Sequence, residues 1–223
     1  MSSSDHLAAV LFDMDGTLVD TEGLWWDACT EVADGLGSPL GEADREALFG
    51  LPVEDAAAHV LGRVNGGPGR SAVEAMLTGA FIRRIESGVT MLPGAVALLE
   101  ALRAAGIPAG LVSASPRPVV DLVLESVGRH RFRLSVAAGD GARNKPAPDP
   151  YLAAAARLGA DPATCVAIED SPAGVASARS AGCAVIAVGP LADASGVTTV
   201  PTLESVDLPL LRRLVPGRVP PGR

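Results

Sequence analysis

The second half of the chain alternates short apolar segments with helical segments, and this alternation constrains the fold more than any other feature. An apolar run at residues 8–12 predicts a first buried strand. From residue 95 onward the pattern predicts helices and strands in turn, over residues 95–105, 109–113, 119–126, 134–137, 150–158, 165–168, 172–181 and 184–188. Asp149 and Ser171 are each followed by a proline, which predicts them as the N-caps of the helices over 150–158 and 172–181. Strands that are separated by helices pair in parallel, because the chain crosses over the sheet between them. The sequence therefore predicts an α/β fold with a doubly wound, mainly parallel, Rossmann-like sheet core.

Residues 20 to about 87 have a different character. Ala, Glu and Leu recur there at helical spacing, which predicts about four helices and no strand. Because this block stands between the first strand and the others, we interpret it as an all-helical cap domain inserted into the core. The predicted core comprises residues 1–19 and 92–214, the cap comprises residues 20–91, and residues 215–223 form a disordered tail. Segments 17–21 and 88–93 are the predicted hinges.

Charge and composition exclude several classes of partner. The net charge of -8 disfavours nucleic acid and anionic membranes, because both attract clustered Lys and Arg. No apolar run reaches the roughly 20 residues that a membrane-spanning helix needs. The three cysteines fit neither zinc spacing nor a disulfide framework, so we expect reduced, mostly buried thiols. These features predict a cytoplasmic protein, a monomer by default, with a small molecule rather than nucleic acid or membrane as its partner.

Polar residues follow four of the predicted strands. Ligands of open parallel sheets bind beyond the carboxyl ends of the strands, so these residues are expected to meet at one edge. They stand in the segments Asp13-Met-Asp15-Gly-Thr17, Ser113-Ala114-Ser115, Asn144-Lys145-Pro146 and Glu169-Asp170-Ser171. Lys145 is the only lysine among 18 basic residues. Four carboxylates, two serines and this lysine at one edge predict an active site.

These residue types suit phosphoryl transfer to and from a small phosphorylated metabolite. Asp13 would be the nucleophile that forms an acyl phosphate, and Asp15 the general acid and then base. Asp13, Glu169 and Asp170 offer the hard oxygen ligands that Mg²⁺ prefers. The phosphoryl group would be bound by Lys145 as a point charge and by hydrogen bonds from Ser113 and Thr17. Each motif alone also has a plain structural explanation, since Asp-x-Asp occurs in turns and calcium loops and Glu169-Asp170 suits a helix N-terminus.

Read in order, Asp13-Met-Asp-Gly-Thr-Leu, Ser113, Asn144-Lys-Pro-Ala-Pro-Asp and Ile168-Glu-Asp-Ser-Pro-Ala-Gly resemble the four motifs of the haloacid dehalogenase superfamily. The insertion resembles the helical cap of its β-phosphoglucomutase-like branch. The resemblance implies that Asp13 is the nucleophile, Asp15 the acid and base, and Lys145 a catalytic cation. It places the phosphate on Thr17, Ser113, Ala114 and Lys145. It implies Mg²⁺ as cofactor, held by Asp13, the Asp15 backbone carbonyl and Asp170, with Glu169 close by.

Departures from the family patterns favour a phosphatase. Dehalogenases of the superfamily lack the second aspartate, which is present here as Asp15. Phosphonoacetaldehyde hydrolases use a cap lysine, and residues 20–91 contain none. The mutases carry a histidine where this chain has Trp25, and an arginine for the second phosphate where it has Val53. Arg83, Arg84 or Arg117 could replace that arginine, so a phosphomutase stays an alternative.

The start of the first cap helix indicates where the substrate binds. Glu22-Gly-Leu-Trp25 resembles the sugar- and polyol-phosphate phosphatases of this branch, which implies Glu22 and Trp25 as substrate-binding residues. Trp25 and Trp26 are adjacent on a helix and cannot point the same way. We expect Trp25 to close over the substrate and Trp26 to pack in the cap, although both could belong to the cap core. The sequence thus predicts a Mg²⁺-dependent phosphatase of a sugar or polyol monophosphate, with a phosphomutase or a catalytically silent binding protein as alternatives.

Overall fold

The computed structural model describes residues 7–48, 51–64, 67–189 and 196–215. Its strands are β1 (Ala9–Phe12), β2 (Val19–Asp20), β3 (Thr90–Met91), β4 (Ala109–Pro116), β5 (Leu134–Ala138), β6 (Cys165–Glu169), β7 (Ala184–Val188) and β8 (Thr198–Val200). Its α-helices are α1 (Glu22–Gly35), α2 (Glu42–Leu48), α3 (Val53–Leu61), α4 (Arg70–Ile85), α5 (Ala95–Ala104), α6 (Arg117–Val127), α7 (Asp149–Leu158), α8 (Pro172–Ser180) and α9 (Leu208–Leu214).

Six strands form one parallel sheet in the order β5-β4-β1-β6-β7-β8. The first strand lies between β4 and β6, so the chain builds outward from β1 in both directions. This arrangement puts the loop after β1 beside the carboxyl ends of β4 and β6. The sheet centre is where an open α/β sheet reverses its winding and forms a ligand crevice.

Both faces of β1 are buried, as its continuous apolar sequence requires. Val10 and Phe12 face a hydrophobic cluster that includes α5 and α6, while Ala9 and Leu11 face a second cluster that includes α7 and α8. Successive side chains of a strand point to opposite faces, so one strand contributes to both clusters. Helices therefore cover both faces of the sheet, which leaves the carboxyl ends of its strands as the place for a ligand.

The four helices α1–α4 lie between β2 and β3 and form the cap. The two segments predicted as hinges pair with each other: β2 and β3 are antiparallel, with Val19 opposite Met91 and Asp20 opposite Thr90. Both connections between cap and core therefore run side by side.

The predicted fold class, a doubly wound parallel core with an inserted helical cap, is confirmed. The predicted Ser171 cap is also confirmed, because Ser171 Oγ accepts a hydrogen bond from Gly174 N at 3.1 Å. The prediction that Asp149 caps α7 was wrong: Pro148 is the capping residue, and the Asp149 carboxylate pairs with Arg143 instead. The domain boundaries stay a prediction, and residues 216–223 of the predicted tail lie outside the described residues.

Two strand predictions were incomplete. The prediction of no strand from residue 20 to about 87 missed β2, which ends at Asp20, and neither β3 nor β8 was predicted at all. The three cysteines are free and buried, as expected. Within the described ranges, every helix is too short or too polar to cross a membrane.

The glycine that precedes α5 offers a test of the packing between α5 and residues 203–204. Gly94 has a φ of 87°, and a Cβ there would lie 2.3 Å from the backbone nitrogen of Glu204. We expect Gly94→Ala to lower the free energy of unfolding by at least about 2 kcal/mol, because backbone cannot move aside cheaply. Gly106 has a φ of 71° and no neighbour within 4 Å, so it is the matched control.

Gly106→Ala should lose only the strain of a left-handed residue, about 1 kcal/mol. Urea denaturation of both variants measures the difference. Equal losses would show that backbone strain alone, and not the close approach of Glu204, explains the glycine at position 94.

Candidate active site

A buried lysine joins three adjacent strands of the sheet, β4, β1 and β6. Lys145 Nζ donates hydrogen bonds to Asp13 Oδ1 and Glu169 Oε1, each at 2.6 Å, and to the carbonyl oxygen of Val112 at 2.9 Å. Burial lowers the pKa of Lys145, but the charges of Asp13 and then Glu169 outweigh burial and raise it above its ordinary value. Lys145 therefore remains a cation at neutral pH, next to Asp13.

Asp15 is two residues from Asp13 but has different surroundings. Thr21 Oγ1 donates to Asp15 Oδ1 at 2.6 Å, and Ser115 Oγ and Ser113 Oγ donate to Oδ2 at 2.9 and 3.2 Å. Burial raises the pKa of Asp15, the charge of Asp13 raises it further, and the three hydroxyl donors offset this only in part. A carboxyl group that retains its proton at higher pH than usual can protonate a leaving oxygen.

Glu169 lies beneath the site and is fully buried. Tyr151 Oη donates to Oε1 at 2.5 Å, the same oxygen that Lys145 binds, and Ser171 Oγ donates to Oε2 at 3.3 Å. A Cβ at Gly174 would lie 1.9 Å from Oε2, so α8 can approach this carboxylate only with glycine at that position. Glu169 is therefore held in one orientation from two sides.

Asp170 follows Glu169 and approaches the turn after Asp13. A Cβ at Gly16, whose φ is 74°, would lie 2.0 Å from Asp170 Oδ2. Carboxylate oxygens of Asp13, Glu169 and Asp170 all lie within 4.8 Å of one another. Burial raises the pKa of Asp170 to about 9, with smaller contributions from the charges of Asp13 and Glu169.

These three carboxylates fit a magnesium ion. Magnesium prefers hard oxygen ligands, and a divalent cation would offset the repulsion that raises the pKa of Asp170. The side chain of Asp15 is not part of this cluster, because the hydroxyl groups of Thr21, Ser113 and Ser115 hold it. Its predicted contribution, through the backbone carbonyl, stays a prediction.

A cleft lies between these strand ends and the cap, and it has one polar side and one mainly apolar side. Residues of the core side include Asp13, Asp15, Ala114, Ser115, Lys145 and Asp170. Those of the cap side include Glu22, Trp25, Leu51, Val53, Thr78 and Phe81. The Trp25 ring meets Phe81 edge-on, with centroids 5.2 Å apart. Trp26 is not among the cleft residues, and the Arg45 guanidinium lies over its ring at 5.8 Å from the centroid.

The structure brings most of the predicted site residues to the cleft. Those that line it are Asp13, Asp15, Glu22, Trp25, Ala114, Lys145 and Asp170. Glu169 lies behind the lining and contacts Lys145. Ser113 is also behind it and donates to Asp15, and Thr17 is fully buried, with its hydroxyl unpaired within the described part of the chain. The phosphate-binding roles of Ser113 and Thr17 stay predictions.

Three residues of the site were given no role from the sequence. Ser115 makes the shorter serine bond to Asp15, and its position two residues after Ser113 on one strand was the available signal. Thr21 follows the turn after Asp15, and nothing in the local pattern distinguishes it from a helix cap. Tyr151 stands in an apolar helix, where a tyrosine is as common for packing as for hydrogen bonding.

The geometry agrees with comparison to known proteins. The family model of haloacid dehalogenase-like hydrolases matches residues 7–182. The chain belongs to this family. The resemblance seen in the four motifs is thereby confirmed.

Relatives of this haloacid dehalogenase-like hydrolase include phosphatases. Hexitol phosphatase A of Escherichia coli (strain K12) is 37% identical over 204 residues, which cover 90% of this chain and 88% of that protein. Phosphoglycolate phosphatase of Rhodospirillum rubrum is 34% identical over 189 residues, 80% of this chain and 78% of the relative. The solved structure of CbbY from Rhodobacter sphaeroides in complex with phosphate has a TM-score of 0.80 at 27% identity, covering 89% of this chain and 96% of that one. The predicted class, a phosphoric monoester hydrolase, is confirmed, which argues against a silent binding protein.

The carboxylate cluster predicts that stabilisation of this hydrolase by magnesium increases with pH. The folded chain keeps a proton on Asp170 that the unfolded chain releases above its ordinary pKa of 3.8, so the free energy of unfolding falls as pH rises toward about 9. Magnesium binds the deprotonated form and should therefore raise Tm more at alkaline than at mildly acidic pH.

Thermal unfolding with and without magnesium at several pH values measures this effect. Asp170→Asn should reduce the magnesium-induced rise in Tm and remove its increase at alkaline pH, whereas Asp34→Asn, on the exposed surface of α1, should leave both unchanged. A pH-dependent rise of unchanged size in Asp170→Asn would contradict the assignment of this carboxylate as a ligand.

Proposed function

We propose that this hydrolase is a magnesium-dependent phosphatase of a sugar or polyol monophosphate that works through a phospho-aspartate on Asp13. The observation that carries the proposal is the contrast between two carboxyl groups two residues apart. Asp13 is paired with a buried cation, and Asp15 is buried among hydroxyl donors with a raised pKa. Two neighbouring carboxyl groups with such different partners can take different roles. The carboxylate paired with a cation is the nucleophile, and the carboxyl group with the raised pKa is the acid.

In the first step the Asp13 carboxylate attacks phosphorus and the bond from phosphorus to the ester oxygen breaks. Lys145 binds Asp13 Oδ1, which leaves Oδ2 as the attacking oxygen. Asp15 gives its proton to the departing ester oxygen, so the alcohol leaves uncharged. The product in the site is an acyl phosphate on Asp13.

In the second step water attacks the phosphorus of the acyl phosphate. Asp15, now a carboxylate, takes the proton from that water, and the bond from phosphorus to Asp13 breaks. Inorganic phosphate leaves, Asp13 is again a carboxylate and Asp15 is again protonated. Lys145 stays positioned throughout by Glu169 and the Val112 carbonyl oxygen.

Asp13, Glu169 and Asp170 would hold the magnesium ion, with the Asp15 carbonyl as the further ligand that the resemblance implies. When bound, magnesium supplies positive charge that offsets the charge of the phosphoryl oxygens. The expectation that the protein is a cytoplasmic monomer stays a prediction.

Hydrolysis is favoured over phosphomutase activity because the described walls of the cleft lack a second phosphate site. The three arginines that could have replaced the missing one are engaged elsewhere. Arg83 and Arg84 both pair with Glu31, at 2.6 and 2.8 Å, and Arg117 pairs with Asp140. Similarity to a hexitol phosphatase supports a polyol or sugar phosphate as substrate.

Replacement of the nucleophile tests the covalent mechanism. Asp13→Asn keeps the shape of the side chain but cannot form the acyl phosphate, so kcat for release of phosphate from a hexitol monophosphate should fall by on the order of a thousandfold. Chelation of magnesium should have a comparable effect on the wild type. Acid-quenched wild type should carry hydroxylamine-labile phosphate on the peptide with Asp13, and the variant should carry none.

Asp34→Asn is the control for handling and folding. Phosphate release that persists in Asp13→Asn, or labile phosphate on another peptide, would sink the assignment of Asp13. No release from any sugar or polyol phosphate would count against the proposed substrate class.

A further inference from the structure

We infer that the cleft selects its substrate by charge: it takes monophosphate esters of uncharged alcohols and rejects esters that carry a second anion, with Glu22 as the residue that discriminates. This inference rests on the proposed phosphatase function. It goes beyond that function because sugar phosphates, phosphoglycolate-like acids and bisphosphates would all present the same phosphoryl group to Asp13.

The first observation is that almost all of the net negative charge of the chain is on the cap. Residues 20–91 contain twelve Asp and Glu, five Arg and no Lys, so their formal net charge is -7, against -8 for the whole chain. A phosphate ester is itself an anion. A lid of this charge therefore favours the substrate with the fewest negative charges.

The second observation is that every cap arginine already has a partner on the cap. Arg83 and Arg84 bind Glu31, Arg63 binds Asp44, Arg70 binds Glu74, and Arg45 lies over the ring of Trp26. The only cap histidine, His59, lies against Asp44 at 2.8 Å. The cap residues outside the described ranges are Phe49, Gly50, Asn65 and Gly66, and none of these residue types is basic.

Within the described residues, the core side of the cleft supplies no spare cation either. Among the described residues that line the cleft, Lys145 is the only basic one, and it already binds two carboxylates at 2.6 Å each. Arg117, at the start of α6, donates to Asp140 and to Ser135. Lys145 and a bound magnesium ion would balance one phosphoryl group, and a second anion would find no further counter-charge among the described residues of the cleft.

The third observation is the chemistry of the cap wall itself. Glu22 is the only charged cap residue among the described residues that line the cleft. It is exposed and stands in the first turn of α1, so its charge offsets the positive end of that helix, which could otherwise attract an anion. Beside it, Thr78 offers a hydroxyl and Trp25 an apolar ring.

An uncharged polyol matches this wall. Its hydroxyl groups can donate to Glu22 and exchange hydrogen bonds with Thr78, while its carbon chain packs on Trp25. A carboxylate or second phosphate at the same place would face Glu22 without a partner. Like charges in a largely hydrated cleft change kcat/KM by about five- to tenfold per interaction, and salt screens this effect.

The experiment compares two substrates of equal length, glycerol 3-phosphate and 3-phosphoglycerate, which differ in the group at the far end. For the wild type, kcat/KM should favour the uncharged ester, and the preference should shrink as ionic strength rises. Glu22→Gln should reduce the preference about five- to tenfold, mainly through better use of 3-phosphoglycerate. Glu22→Lys should reduce it further or reverse it.

Glu46→Gln is the matched control, because Glu46 is an exposed acid of α2 that does not line the cleft. It makes the same change in net charge and should leave the preference unchanged. An equal effect of Glu46→Gln and Glu22→Gln would assign discrimination to the total charge of the cap and refute the role of Glu22.

The failures of this inference and of the proposed function are distinguishable. Suppose that both substrates are hydrolysed with magnesium and that the enzyme shows no preference, or a preference that Glu22→Gln and salt leave unchanged. This result overturns selection by charge and leaves the proposed function standing. If neither of these two substrates and no hexitol or sugar phosphate is hydrolysed, the proposed function is overturned and the inference with it. The salt dependence uses only the wild type, so it holds even if a variant folds poorly.

Discussion

The ammonium group of Lys145 is the interaction on which the rest of the site depends. It binds Asp13 after β1, the carbonyl oxygen of Val112 in β4 and Glu169 at the end of β6. These three strands are neighbours in the sheet. Burial of two carboxylates next to each other is costly unless a cation is buried with them. The packing of the parallel strands thus brings the acids together, and Lys145 makes their proximity tolerable. A guanidinium is larger and planar, and it is a poor substitute for a point charge that must meet three oxygens at once.

Each carboxyl group in the site has its own environment. Tyr151 and Lys145 occupy one oxygen of Glu169, and this holds the carboxylate at the back of the site. Asp15 instead receives hydroxyl hydrogen bonds from Thr21 and from two serines of β4. Neutral donors stabilise a carboxylate less than an ammonium group does, so burial prevails and the pKa of Asp15 rises. Nucleophile and acid can be near neighbours because their partners differ in charge.

The parts of this arrangement that depend on local sequence pattern could be predicted from the sequence. Apolar runs located β1, β4, β5, β6 and β7, and the turn residues after them located the site. The parts that depend on distant pairing could not be predicted from local pattern. β2 and β3 have two residues each, and they pair across the 69 residues that separate them in the chain. β8 contains two threonines and a valine, which do not form a distinct apolar run. The role of Tyr151 was hidden for a related reason, since its partner Glu169 is 18 residues away on another element.

One hydrogen bond connects the two halves of the molecule chemically. Thr21 is the capping residue of α1, yet its hydroxyl donates to Asp15 at 2.6 Å and makes no bond to the helix backbone. The cap helix that carries Glu22 and Trp25 therefore begins at a residue that also sets the environment of the acid. A shift of α1 away from the core would remove one of the three hydroxyl donors that lower the pKa of Asp15, and it would also admit water to a carboxyl group whose pKa is raised mainly by burial. The Thr21 side chain therefore links two events. The contact of the alcohol with the cap and the protonation of the alcohol by Asp15 both depend on the position of the start of α1.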